Sequence, residues 1–159
     1  MTTVTFRIEG VVQGVGFRPF VFRLALRHGV AGWVRNDSEG VTVEARGNTD
    51  ALDCFEHALV DDAPAAARIV SLRRERVVAG GIGGAFAIAA SAPADAVSAF
   101  ISPDLAVCDD CRREMSDPTD RRFAYPFINC TNCGPRYSII QALPYDRPNT
   151  TMRGFTMCE

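Results

Sequence analysis

The sequence predicts an α+β fold of the ferredoxin-like type, in the order β-α-β-β-α-β, followed by a small cysteine-rich module. Two observations lead to this prediction: strand-like and helix-like periodicities alternate over the first 90 residues, and two Cys-x2-Cys pairs stand beyond residue 100. The chain has 159 residues, of which 47% are hydrophobic and 23% charged, as expected for a soluble globular protein. This length allows one good domain plus a small appendage.

The first half of the predicted unit contains three strands and a helix. Residues 3–9 alternate apolar and polar side chains, as a half-buried strand does, and residues 17–28 have the spacing of a helix with one buried face. Residues 30–36 predict a second strand, residues 37–40 a turn, and residues 41–45 a third strand.

A second helix and a fourth strand complete the predicted unit. Asn48 or Thr49 can cap that helix, and Cys54 is expected on its inner side as a small core residue. The apolar positions of its inner face are Ala51, Leu52, Phe55, Ala58 and Leu59. Residues 69–78 predict the fourth strand, and residues 85–89, after a glycine-rich turn, a short edge strand.

A change of composition predicts the domain boundaries. Residues 1–90 form the α+β domain, residues 91–99 are rich in Ala, Ser and Pro and form a linker, and residues 100–159 form a second module. That module is rich in Cys, Pro, Asp and Arg and lacks a long periodic segment, so that we expect it to need a metal for folding.

The loop between the first strand and the first helix has the layout of an anion site. A strand that enters a helix through a tight loop leaves unpaired N–H groups directed at one point. Gly14 and Gly16 allow a close backbone approach, and Arg18 adds a planar guanidinium that suits phosphate oxygens. Taken alone, such a loop is more often a plain turn, and it is neither a P-loop nor a dinucleotide fingerprint.

Four cysteines have the spacing of a metal site. Cys108 and Cys111 form one Cys-x2-Cys pair, Cys130 and Cys133 form another, and 18 residues lie between the pairs. Such a set predicts a closed, structural, tetrahedral zinc site, and a pair of redox dithiols is the less favoured alternative. Cys158 resembles the first half of a further pair, which predicts a second finger truncated at Cys158.

Composition excludes several other classes. The net charge is −2, and all 17 basic residues are arginines, so that no broad basic field favours nucleic acid and no lysine can form a Schiff base. No apolar run is long enough for a membrane span, and the strand pattern begins too early for a signal peptide. Paired cysteines that ligate metal fit a reducing compartment, so a cytoplasmic location is expected.

Two motifs resemble the signatures of acylphosphatases. One is Gly10-x-Val12-Gln13-Gly14-Val15-Gly16-Phe17-Arg18, and the other is Gly32-Trp33-Val34-Arg35-Asn36. The resemblance covers residues 3–90 and implies that acyl phosphates are hydrolysed, with Arg18 binding phosphate and Asn36 holding the attacking water. The resemblance also implies that phosphate contacts the segment formed by Gln13, Gly14, Val15, Gly16, Phe17 and Arg18.

The whole chain resembles the N-terminal part of the hydrogenase-maturation carbamoyltransferases, the HypF family. The strings at 108–123 and 125–137 carry this resemblance, and 143–148 and 150–152 continue it. It implies that carbamoyl phosphate is hydrolysed, that zinc is bound, and that HypE accepts the carbamoyl group from the full-length enzyme. The chain lacks the later domains of that family, so that we expect a truncated protein without transferase activity. The alternatives are a free-standing acylphosphatase with a zinc ribbon and a non-enzymatic zinc-ribbon module.

Overall fold

The structure is a computed structural model, and it describes residues 1–77, 84–91, 100, 103–130, 132–134 and 137–156. Its regular elements comprise five strands, three helices and three short 3-10 turns among these residues. In chain order they are β1 (Thr2–Val11), α1 (Phe17–His28), β2 (Ala31–Asn36), β3 (Gly40–Gly47), α2 (Thr49–Asp61), β4 (Arg68–Val77), β5 (Ala87–Ile88), α3 (Asp109–Ser116), and the turns Tyr137–Ile139, Arg147–Asn149 and Thr151–Gly154.

The five strands form one sheet in the order β4-β1-β3-β2-β5. β1 is antiparallel to both β3 and β4, β2 is antiparallel to β3, and the short β5 runs parallel to β2 at the edge. The register places Phe6 opposite Val43 and Val34 beside the same Val43. The inward side chains of the central strands pack against α1 and α2 in one core cluster, in which Phe6 and Phe55 are fully buried. The architecture is therefore the predicted ferredoxin-like βαββαβ arrangement with an added edge strand.

The sequence periodicities predicted these elements closely. α1 spans residues 17–28 as expected, because glycines in the left-handed conformation stand at both of its ends, Gly16 and Gly29. The cap of α2 is Asn48, whose side-chain oxygen accepts a hydrogen bond from the Ala51 N–H at 2.7 Å. The predicted edge strand is confirmed, although it is limited to Ala87–Ile88.

The prediction for Cys54 was wrong, because this residue is exposed. The buried positions of α2 are Leu52, Phe55 and Leu59. Successive helical residues are rotated by about 100°, so that Cys54 lies well away from the direction of Leu52 and on the solvent side of Phe55. A short, moderately apolar side chain that adjoins a buried residue in sequence therefore need not point to the buried face.

In the described part of the cysteine-rich segment, the regular structure consists of α3 and the three short 3-10 turns. The buried cluster of this segment is small and contains Cys111, Ile128 and Cys133, with Met115 packed against it. Within the described ranges, no helix combines the length and the apolar character that a bilayer span requires. Most of the predicted linker and of the glycine-rich turn, together with Cys158, lie outside the described residues, and the predicted domain boundaries stay predictions.

Candidate functional site

Three segments lie at one edge of the sheet, the edge that is formed by the carboxyl ends of β1, β2 and β5. β1 and β2 are both antiparallel to β3, so they run in the same direction, and β5 is parallel to β2. The loop after β1, Asn36 at the end of β2, and Ser91 shortly after β5 therefore lie at one edge. This topology brings the glycine-spaced loop and Asn36 together, although 20 residues of sequence separate Gly16 from Asn36.

The loop at residues 12–16 presents N–H groups at the start of α1. Gly14 and Gly16 have φ values of 73° and 74°, in the left-handed region that glycine adopts without strain. Val15 is fully buried and anchors the middle of the loop in the core. Helix geometry leaves the N–H groups of Phe17 and Arg18 without intrahelical acceptors, and none of the described residues accepts from them. The loop therefore leaves unpaired donors at a helix N-terminus, which is the kind of position that binds anions.

The Gln13 side chain joins the loop to the turn that follows Asn36. Its amide nitrogen donates to the carbonyl oxygens of Asp37 and Gly40, each at 2.8 Å, and its oxygen accepts from the Tyr145 N–H at 2.9 Å. The side chain is 3% exposed, so these bonds form in a dry environment. Gln13 is thus a structural bridge, and only its backbone could take part in binding an anion.

The carboxylate of Asp37 shapes the same turn. One of its oxygens accepts from the N–H groups of Glu39 and Gly40, at 3.0 and 2.9 Å, and the other accepts from the Thr42 hydroxyl. An aspartate that closes a turn in this way fixes the residue before it. The turn therefore holds Asn36 in place at the end of β2.

Asn36 is buried, and its side-chain amide has no protein partner. It is 1% exposed, and neither its nitrogen nor its oxygen meets a hydrogen-bond partner among the described residues. It points to the same face of β2 as Val34, which packs in the core with α1. An unsatisfied amide of this kind costs free energy unless it binds a water or a ligand.

Arg18 lies in the first turn of α1 and reaches groups from the end of the chain. Its Nη2 donates to an Asp146 carboxylate oxygen at 2.8 Å and to the Tyr145 carbonyl at 3.4 Å, and its Nη1 donates to the Ser91 hydroxyl at 3.4 Å. Its side chain is 22% exposed. The guanidinium is therefore held at the edge of the sheet where Ser91 and Asn36 lie.

The four cysteines converge on one point. The Sγ atoms of Cys108 and Cys130 are 3.5 Å apart, those of Cys111 and Cys133 are 3.8 Å apart, and all four lie within 4.8 Å of one another. Tetrahedral zinc with Zn–S bonds of ~2.3 Å separates its sulfurs by ~3.8 Å, whereas a disulfide requires ~2.05 Å. The donor set therefore fits a tetrahedral metal and does not fit a pair of disulfides.

The chemistry of the thiols also favours a cation. Burial raises the pKa of the Cys111 thiol above its usual range, and hydrogen bonds with Cys130 and Cys133 raise it further. The Cys111 thiol therefore resists deprotonation without a compensating positive charge, and a divalent metal supplies that charge when it binds thiolates. Among the described residues, these four cysteines are the one cluster with metal-ligand geometry.

The second cysteine pair lies next to the glycine-spaced loop. The Gly134 N–H donates to the Cys130 carbonyl at 2.6 Å. A Cβ on Gly134 would stand 2.7 Å from that oxygen and 3.9 Å from the Gly14 carbonyl. The Cys130 carbonyl thus leaves no room for a side chain at Gly134, and the Gly14 carbonyl of the loop stands at van der Waals distance from the same position.

The structure brings the two predicted motifs together at one edge and the four predicted ligands around one point. Sequence reasoning missed Ser91, Tyr145 and Asp146, which contact Arg18 or Gln13 from 73 to 132 residues away. Asp146 lies within a string that resembles a known family, but nothing local in that string indicates a contact with Arg18.

Comparisons with known proteins identify the two parts of the chain. The family model described as acylphosphatase matches residues 4–88, and the model described as HypF finger matches residues 107–140. The crystal structure of acylphosphatase from Bacillus subtilis is 30% identical, with a TM-score of 0.52. That match covers 56% of this chain and 99% of the other. The chain therefore belongs to the acylphosphatase family, with a HypF finger behind its acylphosphatase domain.

The similarity to one group of larger proteins extends over nearly the whole chain. The carbamoyltransferase HypF2 of Cupriavidus necator is 51% identical over 98% of this chain and 19% of its own length. A crystal structure of full-length HypF in the phosphate- and nucleotide-bound form matches with a TM-score of 0.92 and 42% identity, covering 99% of this chain and 21% of the other. The chain spans about a fifth of the length of these HypF carbamoyltransferases.

Proposed function

We propose that the site at the edge of the sheet hydrolyses carbamoyl phosphate, the reaction that would open carbamoyl transfer in hydrogenase maturation. The observation that carries this proposal is the buried, unpartnered amide of Asn36, which lies at the same edge as the unpaired N–H groups of the loop and the Arg18 guanidinium. An amide that can both donate and accept is suited to hold a water molecule.

The roles of the site residues follow from the negative charge of the substrate. The phosphoryl oxygens bind to the N–H groups of residues 14–18 and to free N–H groups of Arg18, which stabilise the negative charge in the transition state. Asn36 orients water in line with the bond between phosphorus and the bridging oxygen. No covalent nucleophile is needed, because the carbamate is a good leaving group.

The step is balanced without a further reactant. Water forms the new P–O bond, the bond from phosphorus to the bridging oxygen breaks, and that oxygen leaves with its electron pair. Carbamoyl phosphate dianion and water give carbamate and dihydrogen phosphate, so that both protons of the water end on phosphate. The metal centre has a structural role and takes no part in this chemical step.

The cysteine site is proposed to hold one zinc ion through Cys108, Cys111, Cys130 and Cys133. The sulfur geometry and the match to the HypF finger support this assignment. Four protein ligands close the coordination sphere, which is typical of a structural site. The identities of carbamoyl phosphate as substrate and of HypE as the acceptor of a longer enzyme rest on the similarity to HypF. The proposal of a cytoplasmic location rests on the paired cysteines, which fit a reducing compartment.

The test compares the zinc-loaded wild-type chain with Arg18→Ala. Phosphate release from carbamoyl phosphate and acetyl phosphate is measured, and we expect Arg18→Ala to lower kcat/KM by about 10³ or more. Arg23→Ala is the matched control, since Arg23 is an exposed arginine of the same helix, and it should keep wild-type activity. Hydrolysis of acetyl phosphate in ¹⁸O-labelled water should place the label in phosphate. Equal turnover in wild type and Arg18→Ala, or label in acetate, would overturn the proposal.

A further inference from the structure

The cysteine-rich segment supplies a carboxylate to the Arg18 guanidinium. One Asp146 oxygen accepts from Arg18 Nη2 at 2.8 Å, and the other accepts a short hydrogen bond from the Ser91 hydroxyl. Both partners are about three-quarters shielded from solvent, since the Arg18 side chain is 22% and the Asp146 side chain 27% exposed. Such a pair is screened less than one on the open surface.

Asp146 is itself held from a second side. The preceding residue, Tyr145, donates its N–H to Gln13, whose amide is bonded to the turn that follows Asn36. The carboxylate is therefore fixed by Ser91 through its side chain and by Gln13 through the neighbouring backbone. A carboxylate fixed at two points can orient a long and flexible arginine side chain.

The hydrogen-bond donors that Asp146 uses show whether its carboxylate positions Arg18 (a clamp) or occupies the phosphate site in place of the ligand. A carboxylate that mimicked the phosphate ligand would accept from the loop N–H groups, and no such bond occurs among the described residues. The three bonds of the guanidinium leave its Nε–H and one Nη1–H without an acceptor in the described part of the chain. These donors remain for a ligand while Asp146 occupies another part of the guanidinium.

We infer that Asp146 is a positioning residue of the phosphate site: its carboxylate, anchored by Ser91, holds the Arg18 guanidinium in place for phosphate binding. The inference rests on the proposed function of that site. Because Arg18 is ordered when the chain folds, its rotamer entropy is not lost when the anion binds. The cysteine-rich segment thereby forms one wall of the phosphate site.

This wall is an addition to the acylphosphatase fold. The Bacillus subtilis acylphosphatase is matched along 99% of its length by 56% of this chain, and the acylphosphatase family model ends at residue 88. Asp146 therefore belongs to the part of the chain that follows the shared fold. The clamp links the phosphate site to the segment that holds the metal ligands.

The experiment measures acetyl phosphate hydrolysis and its inhibition by inorganic phosphate in the zinc-loaded full chain. Asp146→Asn keeps the shape of the side chain and removes its charge. We expect KM for acetyl phosphate and Ki for phosphate to rise together by about tenfold, with a smaller fall in kcat, because an unclamped guanidinium binds the anion less well. Ser91→Ala should raise KM and Ki by a smaller factor. In the double variant with Asp146→Ala, which removes the hydrogen-bonding group of Asp146, Ser91→Ala should cause no further rise.

Asp117→Asn is the matched control, because Asp117 is a carboxylate of the same segment whose contacts are with Thr119. Its KM and Ki should stay within twofold of wild type, and both aspartate variants should retain their zinc and their melting temperature. An unchanged or lower Ki in Asp146→Asn, or loss of its zinc or of its fold, would overturn the inference. Failure of the proposed function is recognised separately, since wild type and Arg18→Ala would then be equally active.

Discussion

The Gln13 side-chain oxygen accepts a hydrogen bond from the Tyr145 N–H at 2.9 Å, across 132 residues of sequence. The same amide donates to two carbonyls of the turn that follows Asn36. One buried side chain therefore connects the glycine-spaced loop, the turn and the cysteine-rich segment. Because the acylphosphatase fold and the cysteine-rich segment meet at Gln13, we expect this residue to affect both the stability of the fold and the activity of the site.

Replacing Gln13 by alanine should destabilise the protein. The Asp37 carbonyl and the Tyr145 N–H would each lose a hydrogen bond to Gln13, whereas the Gly40 carbonyl would keep the Asp37 N–H as its donor at 3.1 Å. Each buried group that water does not reach costs about 1–3 kcal/mol. We expect a loss of ~2–5 kcal/mol in the free energy of unfolding, measured by urea denaturation, together with reduced activity. Thr5→Ala, on the interior strand β1 of the same sheet, should cost less. A Gln13→Ala variant as stable as wild type would contradict the proposed bridging role.

Replacing Asn36 by alanine should separate stability from activity. The variant removes two buried polar atoms that no described residue satisfies, so the free energy of unfolding should stay the same or rise by ~1 kcal/mol. Hydrolysis should fall by about 10²–10³ in kcat with little change in KM, because water is no longer oriented. Both are measured on the same preparation, by denaturation and by phosphate release.

Asn48→Ala is the matched control for Asn36→Ala. Asn48 caps α2 through a bond to the Ala51 N–H, so its loss should cost ~1 kcal/mol of stability. Its hydrolytic activity should remain that of wild type. If Asn36→Ala kept full kcat, the assignment of the water-holding role to Asn36 would fail.

The sequence predicts the acylphosphatase-like fold well because its signals are local. The apolar spacing of α1 and the glycines at its ends define that helix, and strict alternation defines β1 and β3. The two halves of the phosphate site could be recognised separately as motifs. Their meeting at one edge follows from strand direction, which the β-α-β-β-α-β order already implies.

The contacts of the cysteine-rich segment could not be predicted in the same way. Arg18 and Asp146 are 128 residues apart, and the irregular chain around Asp146 has no periodicity that would fix its direction. Cys54 shows a different source of error. It adjoins the buried Phe55 in sequence, and the prediction therefore placed it on the buried face of α2. One position on a helix changes the direction of a side chain by about 100°, which decides between core and solvent.

The exposure of Cys54 leads to a prediction about thiol reactivity. Cys54→Ser should change the free energy of unfolding by no more than ~0.5 kcal/mol, because the side chain is exposed rather than packed in the core. In the zinc-loaded protein, iodoacetamide should modify the peptide that contains Cys54 well before those that contain the four clustered cysteines. Peptide mapping after timed labelling measures these rates. Protection of Cys54 equal to that of Cys111 would show that the exposed position is incorrect.

Removal of the metal should unfold one part of the chain and spare the other. The α+β core buries a large cluster around Phe6, Phe17 and Phe55, whereas the cluster around Cys111 contains few side chains among the described residues of the cysteine-rich segment. Structural zinc contributes about 10–16 kcal/mol of apparent binding free energy in zinc-finger peptides, so a small segment with such a site depends on the ion. We expect amide hydrogen exchange to show lost protection within residues 103–156 after chelation, while β1 and β3 keep theirs.

Hydrolysis should fall after chelation, because Asp146 leaves Arg18 when its segment unfolds, and should return when zinc is added back. The control is Arg18→Ala, whose residual activity should not respond to chelation. Protection that persists within residues 103–156 without metal would show that the segment folds by itself. Full activity in the chelated protein would show that the wall formed by Asp146 is dispensable for the phosphate site.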